Sequence, residues 1–434
     1  MSLSEKNFDK IFHFFLCIIG IAMIFRKPCT LFIIFFGVFN LFFLQRLKFT
    51  KKTLILIGCI SSPILLELFL FWNNDSLSKG LKALEKSISL LLFPIFIIGN
   101  YHRVKFIKLI ETYSFFMILI MLFFFIRFNV VYPELVNKYL NGIDLFEVGY
   151  KFSESIGIHA PALNMHLAFV SVCALYFVFN SFKNKENPEF KTLRFIVFLL
   201  SFFFVLFVNT RVALVSLFGG FCIVLFYEIK SKFDIKKIVI SGITGFILLT
   251  GILFFYVEKN PYMKEKYTTV TFAHMDKIGK LDEIDHPEIF AFNSLVTRLS
   301  IWKSAWELSV KNLPFGVGAS DGKPELIKYY KQTNQKFLAK YKFQTHNQFL
   351  DFLLKFGILG PLVALLYMFT IAHLGYDLKN AVILSFFLIF FASNLTDDFL
   401  LRFDGIAFSG FWASIFASYW LQQKVIPGKD LVVV

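Results

Sequence analysis

The sequence predicts an all-α protein that crosses a membrane many times, and three observations support this fold class. Of the 434 residues, 57% are hydrophobic and only 17% are charged, whereas soluble proteins have about 45–50% apolar and about 25% charged residues. Phenylalanine alone occupies 62 positions. Apolar runs approaching the roughly 20 residues that cross a bilayer as a helix recur along the chain. One aqueous core cannot bury this apolar surplus, so we expect it to face lipid.

The apolar runs predict about twelve transmembrane helices. Residues 1–257 are expected to hold nine of them, residues 258–345 a large helical loop, and residues 346–434 an interfacial helix and the last three spans. The predicted spans are 11–25, 29–44, 53–72, 84–99, 106–126, 159–180, 193–208, 211–227, 238–256, 358–374, 380–396 and 404–421.

The net charge of +15 is explained by membrane topology, because Lys and Arg concentrate in every second connection and short cytoplasmic loops carry such an excess. This alternation predicts cytoplasmic termini and places the large loop on the opposite side. No basic stripe with interleaved aromatic residues is present, so we expect no nucleic-acid partner. The cation-rich connections contain Arg46, Lys48, Lys51 and Lys52; Arg103, Lys105 and Lys108; Lys183, Lys185, Lys191 and Arg194; and Lys230, Lys232, Lys236 and Lys237.

The segment Thr345–Gln348 holds the first candidate for catalysis. Thr345 with Gln348 three residues later fits a capping box, which predicts a helix that begins here with His346 in its first turn. The positive potential of a helix N-terminus favours a neutral imidazole, which can accept a proton. His346 is therefore a candidate general base, and the alternative is a histidine that only packs the loop against the helix.

Two arginines are candidates for binding an anion. Arg211 follows Thr210, a plausible N-cap, in a short non-cytoplasmic turn between two apolar runs. Ionisable groups at membrane depth are costly and often functional, although such an arginine can also extend to lipid headgroups. Arg298 lies one helical turn before Trp302 and two turns before Trp306. Such a stripe either borders a ligand site or anchors the helix by packing.

Weaker candidates flank these residues. The turn that follows residue 313 contains two glycines whose backbone amides could approach an anion, and two acidic residues with an arginine close the last non-cytoplasmic turn, where they bind an acceptor or pair at the interface. The supporting candidates are Asn347, Gly316, Gly318, Asp397 and Arg402.

No metal or other cofactor is expected. His159 and His166 are seven residues apart and can share a helix face, but they lack acidic or cysteine partners at ligand spacing. The five cysteines lie unpatterned within apolar runs, so they indicate neither disulfides nor a zinc site.

The order and spacing of these motifs resemble the O-antigen ligase/polymerase superfamily over roughly residues 150–421. The motifs that carry the resemblance are Arg211 after an apolar run, Arg298-x-x-x-Trp302, Pro314-x-Gly316-x-Gly318, and His346-Asn347-x-x-Leu350 with Gly357 and Gly360. The resemblance implies a multi-pass glycosyltransferase of the GT-C type in the bacterial inner membrane, with its active site facing the periplasm. It implies a glycan donor linked to undecaprenyl pyrophosphate, with His346 as the family's histidine and Arg211 and Arg298 as its pyrophosphate-facing arginines.

The acceptor separates two members of this superfamily. Ligases transfer the glycan to a sugar hydroxyl of lipid A-core, whereas polymerases transfer it to another lipid-linked repeat unit. We favour the ligase and keep the polymerase as the alternative. A glycosyl pyrophosphate carries a good leaving group, so two arginines and one base suffice for a single displacement with inversion.

A transporter is the rival from another class, because twelve spans with both termini inside is also a common plan for carriers. Transporters tend to have two related halves. Here the halves look unlike, and the large loop has no counterpart earlier in the chain.

Overall fold

A computed structural model describes residues 3–229, 251, 254–255, 258–264, 272–292 and 294–425. Every regular element in this part of the chain is a helix. Before the large loop the helices are α1 (Glu5–Ala22), α2 (Arg26–Leu41), α3 (Lys51–Ile60), α4 (Ser62–Phe69), α5 (Leu77–Ser87), α6 (Ser89–Phe93), α7 (Phe106–Val131), α8 (Pro133–Leu140), α9 (Leu145–Ile156), α10 (Ala160–Lys183), α11 (Pro188–Val208) and α12 (Arg211–Ile229).

The large loop and the last part of the bundle add shorter and longer helices, and together these confirm the all-α class. They are α13 (Pro261–Lys264), α14 (Pro287–Phe290), α15 (Leu295–Lys311), α16 (Gly322–Gln332), α17 (Lys336–Tyr341), α18 (Gln348–Phe356), α19 (Leu359–Leu378), α20 (Ala381–Thr396) and α21 (Phe403–Val425).

Five helices in the described residues are long and apolar enough to cross a membrane, namely α7, α10, α11, α12 and α19. The pair α3 and α4 adds a sixth if it forms one span, although it bends by 69°. The chain is therefore a helical membrane protein, with fewer spans that qualify than the twelve predicted. The predicted span 238–256 lies almost entirely outside the described residues.

Two predicted spans are interrupted in the structure, and prolines lie at both interruptions. The run 53–72 bends at Ser61, just before Pro63 in the first turn of α4. The run 84–99 divides into α5, α6 and a π-helical turn that begins at Pro94. Because proline lacks the amide hydrogen that a continuous helix requires, a straight span is disfavoured at both places.

Helix α10 is the centre of the bundle. Of its apolar window 89% is buried inside the protein, compared with 28% for α7, α11 and α12. The neighbouring helices approach closely because small residues face it, and a Cβ at Gly220 of α12 would lie 2.7 Å from Val172. Close packing against this central helix fixes the positions of the neighbouring helices, including the start of α12 at Arg211.

Polar contacts gather both ends of the chain at one end of the bundle. Arg103 pairs with Glu5 and Asp9 near the start of α1. Gln422 Nε2, near the end of α21, donates to the Tyr101 carbonyl at 2.6 Å. The first and last helices thus begin and end beside the cation-rich connection that contains Arg103.

The large loop forms a second, smaller core at the opposite end of the bundle. Residues such as Ile301, Leu326 and Tyr330 are buried there among α15, α16 and α17. The loop is fastened to the connection between α4 and α5, where Asn73 Nδ2 donates to the Gly316 carbonyl at 3.0 Å and the Asp75 amide donates to Asp321 Oδ2 at 3.0 Å.

Gly357, which ends α18, should be sensitive to substitution. Its φ is +59°, and a Cβ would lie 1.8 Å from the Pro314 carbonyl oxygen. We expect Gly357→Ala to lower the free energy of unfolding by about 2–6 kcal/mol, from backbone strain and overpacking of ~1–3 kcal/mol each. Gly157→Ala is the matched control, because Gly157 has φ +90° but open space around it. Thermal unfolding in detergent should show the larger loss for Gly357→Ala, and equal losses would contradict the overpacking argument.

Candidate active site

The helix that follows His346 starts later than the capping box predicts. α18 begins at Gln348, and its N-cap is Asn347, whose side chain accepts hydrogen bonds from the Phe349 and Leu350 amides at 3.0 Å. Asn is among the best N-cap residues, so it replaces Thr345 in this role. The supporting candidate Asn347 therefore fixes the helix start, and its amide group also donates to the Leu395 carbonyl at 3.0 Å.

The two residues of the predicted box make other contacts. The Thr345 hydroxyl donates to Asp398 Oδ2 at 3.2 Å, and Gln348 Oε1 accepts from the Leu400 amide at 2.7 Å. Both bonds connect the start of α18 to the turn between α20 and α21. The prediction of a capping box was wrong, but the same two side chains hold the segment that contains Asp397.

His346 lies just before the helix rather than in its first turn. Its φ is +45°, a left-handed conformation that is uncommon for a residue with a side chain. The Trp302 indole donates to its carbonyl at 3.4 Å, and its Nδ1 lies 3.4 Å from Asp397 Oδ1. The ring is 27% exposed, so one edge contacts a carboxylate while the remainder stays accessible.

Asp397 and Asp398 form a cluster of charges with Arg402. Arg402 Nη2 lies 3.3 Å from Asp397 and 3.4 Å from Asp398, and its Nη1 donates to His159 Nδ1 at 3.3 Å. Burial would raise the pKa of Asp397, but the hydrogen bond with His346 and the charge of Arg402 hold that pKa well below its usual range. Burial and the charge of Asp397 raise the pKa of Asp398 to about 6.

A cavity of about 280 Å³, here called the arginine cavity, brings together Arg211, Arg298, His346 and Asp397 along its lining. Four segments of the fold supply them: the start of α12, the first turn of α15, the residues just before α18, and the residue that follows α20. The three residues predicted to act together therefore share one cavity, although they are far apart in the sequence.

Local contacts explain why the two arginines lie there. Thr210 directly precedes α12 as predicted, and its hydroxyl accepts a hydrogen bond from the buried amide of Asn164 at 2.8 Å. Ser294 caps α15, and Arg298 Nη1 donates to the Thr396 carbonyl at 2.9 Å. Each guanidinium is thus placed by a helix that begins at the cavity.

The predicted glycine turn lies elsewhere. The Gly316 amide donates to the Asn312 carbonyl at 2.8 Å, and the Gly318 amide donates to the Lys355 carbonyl at 3.0 Å. Neither residue lines the arginine cavity. Because these amides are already used, Gly316 and Gly318 pack the loop against α18, and the expectation that they approach an anion is corrected.

The two predicted histidines of α10 also separate. His166 is fully buried, and its Nδ1 lies 3.1 Å from the Tyr113 hydroxyl. His159 lies at the start of the helix beside Arg402. They share no site, because seven residues of helix keep the two rings almost two turns apart.

Tyr150 of α9 lines the arginine cavity and was not predicted. Burial raises the pKa of Tyr150 to about 12, with a contribution from Asp397 that the two arginines oppose. It therefore remains a neutral phenol that can donate a hydrogen bond to a ligand. The sequence signal that could have indicated it is the aromatic pair Phe146 and Tyr150 at i, i+4 spacing. In the structure the two tilted rings lie 4.5 Å apart.

Among the described residues, His346, Asp397 and Asp398 come nearest to a metal-ligand set, with one atom of each within 4.8 Å of the others. Imidazole and carboxylate donors suit several divalent cations. Here, however, the Arg402 guanidinium already balances the carboxylates, and the Thr345 hydroxyl bonds to Asp398. The cluster is therefore complete as a hydrogen-bonded network of protein groups.

The fold and the cavity define a class: a multi-pass helical membrane protein with two arginines and one histidine in the lining of one cavity. Comparison with models of protein families matches residues 196–365 to Wzy_C, described as O-antigen ligase. The match confirms the resemblance to the O-antigen ligase/polymerase superfamily over these residues, and the family consists of enzymes with ligase-like or polymerase-like activity. The matched residues include Arg211, Arg298 and His346. No curated protein matches the chain.

Proposed function

We propose that the chain is an O-antigen ligase-like glycosyltransferase. It transfers a glycan from undecaprenyl pyrophosphate to a sugar hydroxyl of lipid A-core, with inversion and without a metal ion. The observation that carries this proposal is the single cavity that gathers two guanidinium groups and one imidazole. A diphosphate donor and a hydroxyl acceptor need just these groups: cations for the leaving group and a base for the nucleophile.

The two arginines bind the diphosphate. A guanidinium matches phosphate oxygens through two parallel hydrogen bonds and keeps its charge at every physiological pH. As the bond between the anomeric carbon and the pyrophosphate oxygen breaks, negative charge grows on that oxygen. Arg211 and Arg298 stabilise this charge most strongly in the transition state, which is the condition for acceleration.

His346 accepts the proton of the acceptor hydroxyl. The carboxylate of Asp397 lies beside Nδ1 and favours the tautomer that has hydrogen on Nδ1, so that Nε2 is free to act as the base. The acceptor oxygen forms a bond to the anomeric carbon, its proton moves to Nε2, and the electron pair of the broken bond leaves with the pyrophosphate. Asp397 is a positioning residue in this scheme, and Arg402 keeps it ionised.

The proposal includes the predicted topology. We propose that the termini lie in the cytoplasm, that the arginine cavity faces the periplasm across the bacterial inner membrane, and that about twelve spans form a GT-C-type arrangement. The cation-rich connections support this. Arg46 and Arg103 meet at Glu5, and Arg194 pairs with Glu111, at the end of the bundle opposite to the large loop.

The direct test supplies the purified chain in nanodiscs with a lipid-linked glycan donor and either lipid A-core or a second lipid-linked repeat unit. A single addition to the core supports the ligase. A ladder of repeat units supports the polymerase instead. If the donor is not consumed with either acceptor, the chain is not this enzyme, and transport of the lipid-linked glycan between vesicle leaflets becomes the next measurement.

Replacing Asp397 by Asn should lower kcat by about 10- to 100-fold, because the amide no longer selects the productive tautomer of the imidazole. Asp397→Glu keeps the carboxylate and should restore part of the rate. Equal losses in Asp397→Asn and Asp397→Glu would instead indicate a structural role.

A further inference from the structure

A second cavity opens beside the same turn between α20 and α21. It measures about 430 Å³ and lies between α4, α5, α18 and the turn of the large loop at residues 319–324. Five lysines and one arginine line it, and we call it the lysine cavity. The five cationic side chains at issue are Lys79, Lys82, Lys86, Lys323 and Arg402.

Three of these lysines come from one face of α5. Lys79, Lys82 and Lys86 are spaced by three and four residues, which places them on adjacent turns of the same face. In the part of the chain that the structure describes, none of them forms an ion pair, whereas Lys355 of the same cavity is neutralised by Asp351 at 2.6 Å. The face of α5 thus presents three lysines to one concave surface, and Glu67 is the acidic residue in the lining that interacts with one of them, Lys86.

Their position in the fold is unexpected for lysines. Loops on the non-cytoplasmic side of a membrane protein are usually poor in Lys and Arg. The connection that holds α5 is on the side of the large loop, because Asn74 Oδ1 accepts from the Ser320 amide at 2.9 Å next to the bond between Asp75 and Asp321. Lysines in a short loop on the side where Lys and Arg are usually scarce are explained most simply by an anionic ligand.

The two cavities share a wall. Along the turn between α20 and α21, Thr396, Asp397 and Phe399 line the arginine cavity, and Leu400, Leu401 and Arg402 line the lysine cavity. Arg402 contacts Asp397, which in turn contacts His346. A molecule bound in the lysine cavity is therefore connected to the proposed base through Arg402 and Asp397, and neither of the two donor arginines lines that cavity.

The remaining lining fits a sugar attached to a lipid. Phe352, Phe356 and Leu90 supply apolar surface, and the buried carboxylate of Glu67 supplies an acceptor for sugar hydroxyls. Lysine ammonium groups bind phosphate as point charges without strict geometry. An ordinary phospholipid headgroup shares the phosphate but presents fewer hydroxyl groups for Glu67.

We propose that the lysine cavity binds a phosphate group of the lipid-linked saccharide that accepts the transferred glycan. The inference rests on the proposed function, since it assigns the acceptor to one side of His346 and the donor to the other. Both acceptors considered above, the phosphorylated lipid A-core and a lipid-linked repeat unit with its pyrophosphate, belong to this chemical class.

The test measures binding without turnover. Native mass spectrometry of the purified full chain is performed with lipid A, with lipid A from which both phosphates have been removed, and with phosphatidylglycerol. We expect at least tenfold tighter binding of lipid A than of its dephosphorylated form. The variant Lys79→Gln/Lys82→Gln/Lys86→Gln should lose this preference, whereas the control Lys331→Gln/Lys336→Gln/Lys342→Gln removes equal charge from the loop outside both cavities and should retain it.

The outcomes separate the two proposals. His346→Ala should bind lipid A as the wild type does, because the base does not line the lysine cavity. If the wild-type chain shows the lysine-dependent preference but transfers no glycan, the proposed enzyme is refuted and the phosphate site remains. Equal binding of lipid A by the α5 variant and the control overturns the inference, whether or not transfer occurs. Equal lysine-dependent binding of phosphatidylglycerol also overturns it, because the cavity is then a general site for anionic lipid headgroups.

Discussion

Replacing His346 by Ala should lower the rate of glycan transfer by about 10²–10⁴-fold, which is the usual contribution of a positioned general base. The loss should fall on kcat, because the imidazole acts on the acceptor proton in the transition state and contributes little to donor binding. The measurement is transfer at saturating donor and acceptor in nanodiscs, with donor binding measured separately.

His286→Ala is the matched control. His286 lies in the same large loop and is exposed. Among the described residues its ion-pair partners are Asp285 and Glu288, at 3.8 and 3.4 Å. Its replacement should leave the rate unchanged. Wild-type turnover of His346→Ala would remove this residue as the base, and we would then assign proton transfer to another group in the cavity.

Replacing Arg211 or Arg298 by Ala should each lower kcat by about 10²–10³-fold, the cost of losing one preorganised donor to a developing anion. Donor affinity should fall as well, since the diphosphate is charged in the ground state too. The Lys variants should recover only part of the rate, because an ammonium group lacks the bidentate geometry of a guanidinium. Steady-state kinetics with varied donor concentration separate the two effects.

Arg127→Ala controls for loss of an arginine near the same end of the bundle. Arg127 is outside the lining of both cavities, and its Nη1 donates to the Ser155 carbonyl at 3.1 Å. It should transfer glycan normally. If Arg211→Ala and Arg298→Ala both keep the kinetic constants of the control, the cavity does not bind the diphosphate through these residues.

The sequence predicted the broad architecture because hydrophobic surplus and run length are properties of single segments. It predicted the arginines and His346 because charged and polar groups stand out against an apolar background. Broken helices were harder to predict. The bend at Ser61 and the π-helical turn at Pro94 depend on how the neighbouring helices pack around an irregular backbone. Hydropathy patterns contain no information about that packing.

The arrangement of the cavity also depends on tertiary contacts. The contact between Asp397 and His346 joins residues about fifty positions apart, and Tyr150 lies in α9, which is outside all twelve predicted spans. The prediction that the Gly316 amide approaches an anion was wrong for the same reason. In the folded chain this amide already donates to the Asn312 carbonyl. Which polar groups remain available is decided only by the folded chain.

The side chains that line the arginine cavity come from two separate cores, and this division has a practical consequence. Arg298 and the indole of Trp302 are carried by α15 in the large loop, whereas Arg211 is anchored to the buried centre of the bundle. Small cores open more readily than large ones, and local opening precedes global unfolding. Mild denaturant or limited proteolysis of the loop should therefore abolish activity while the membrane helices stay folded. Loss of activity is then a poor measure of whether the helical bundle is intact.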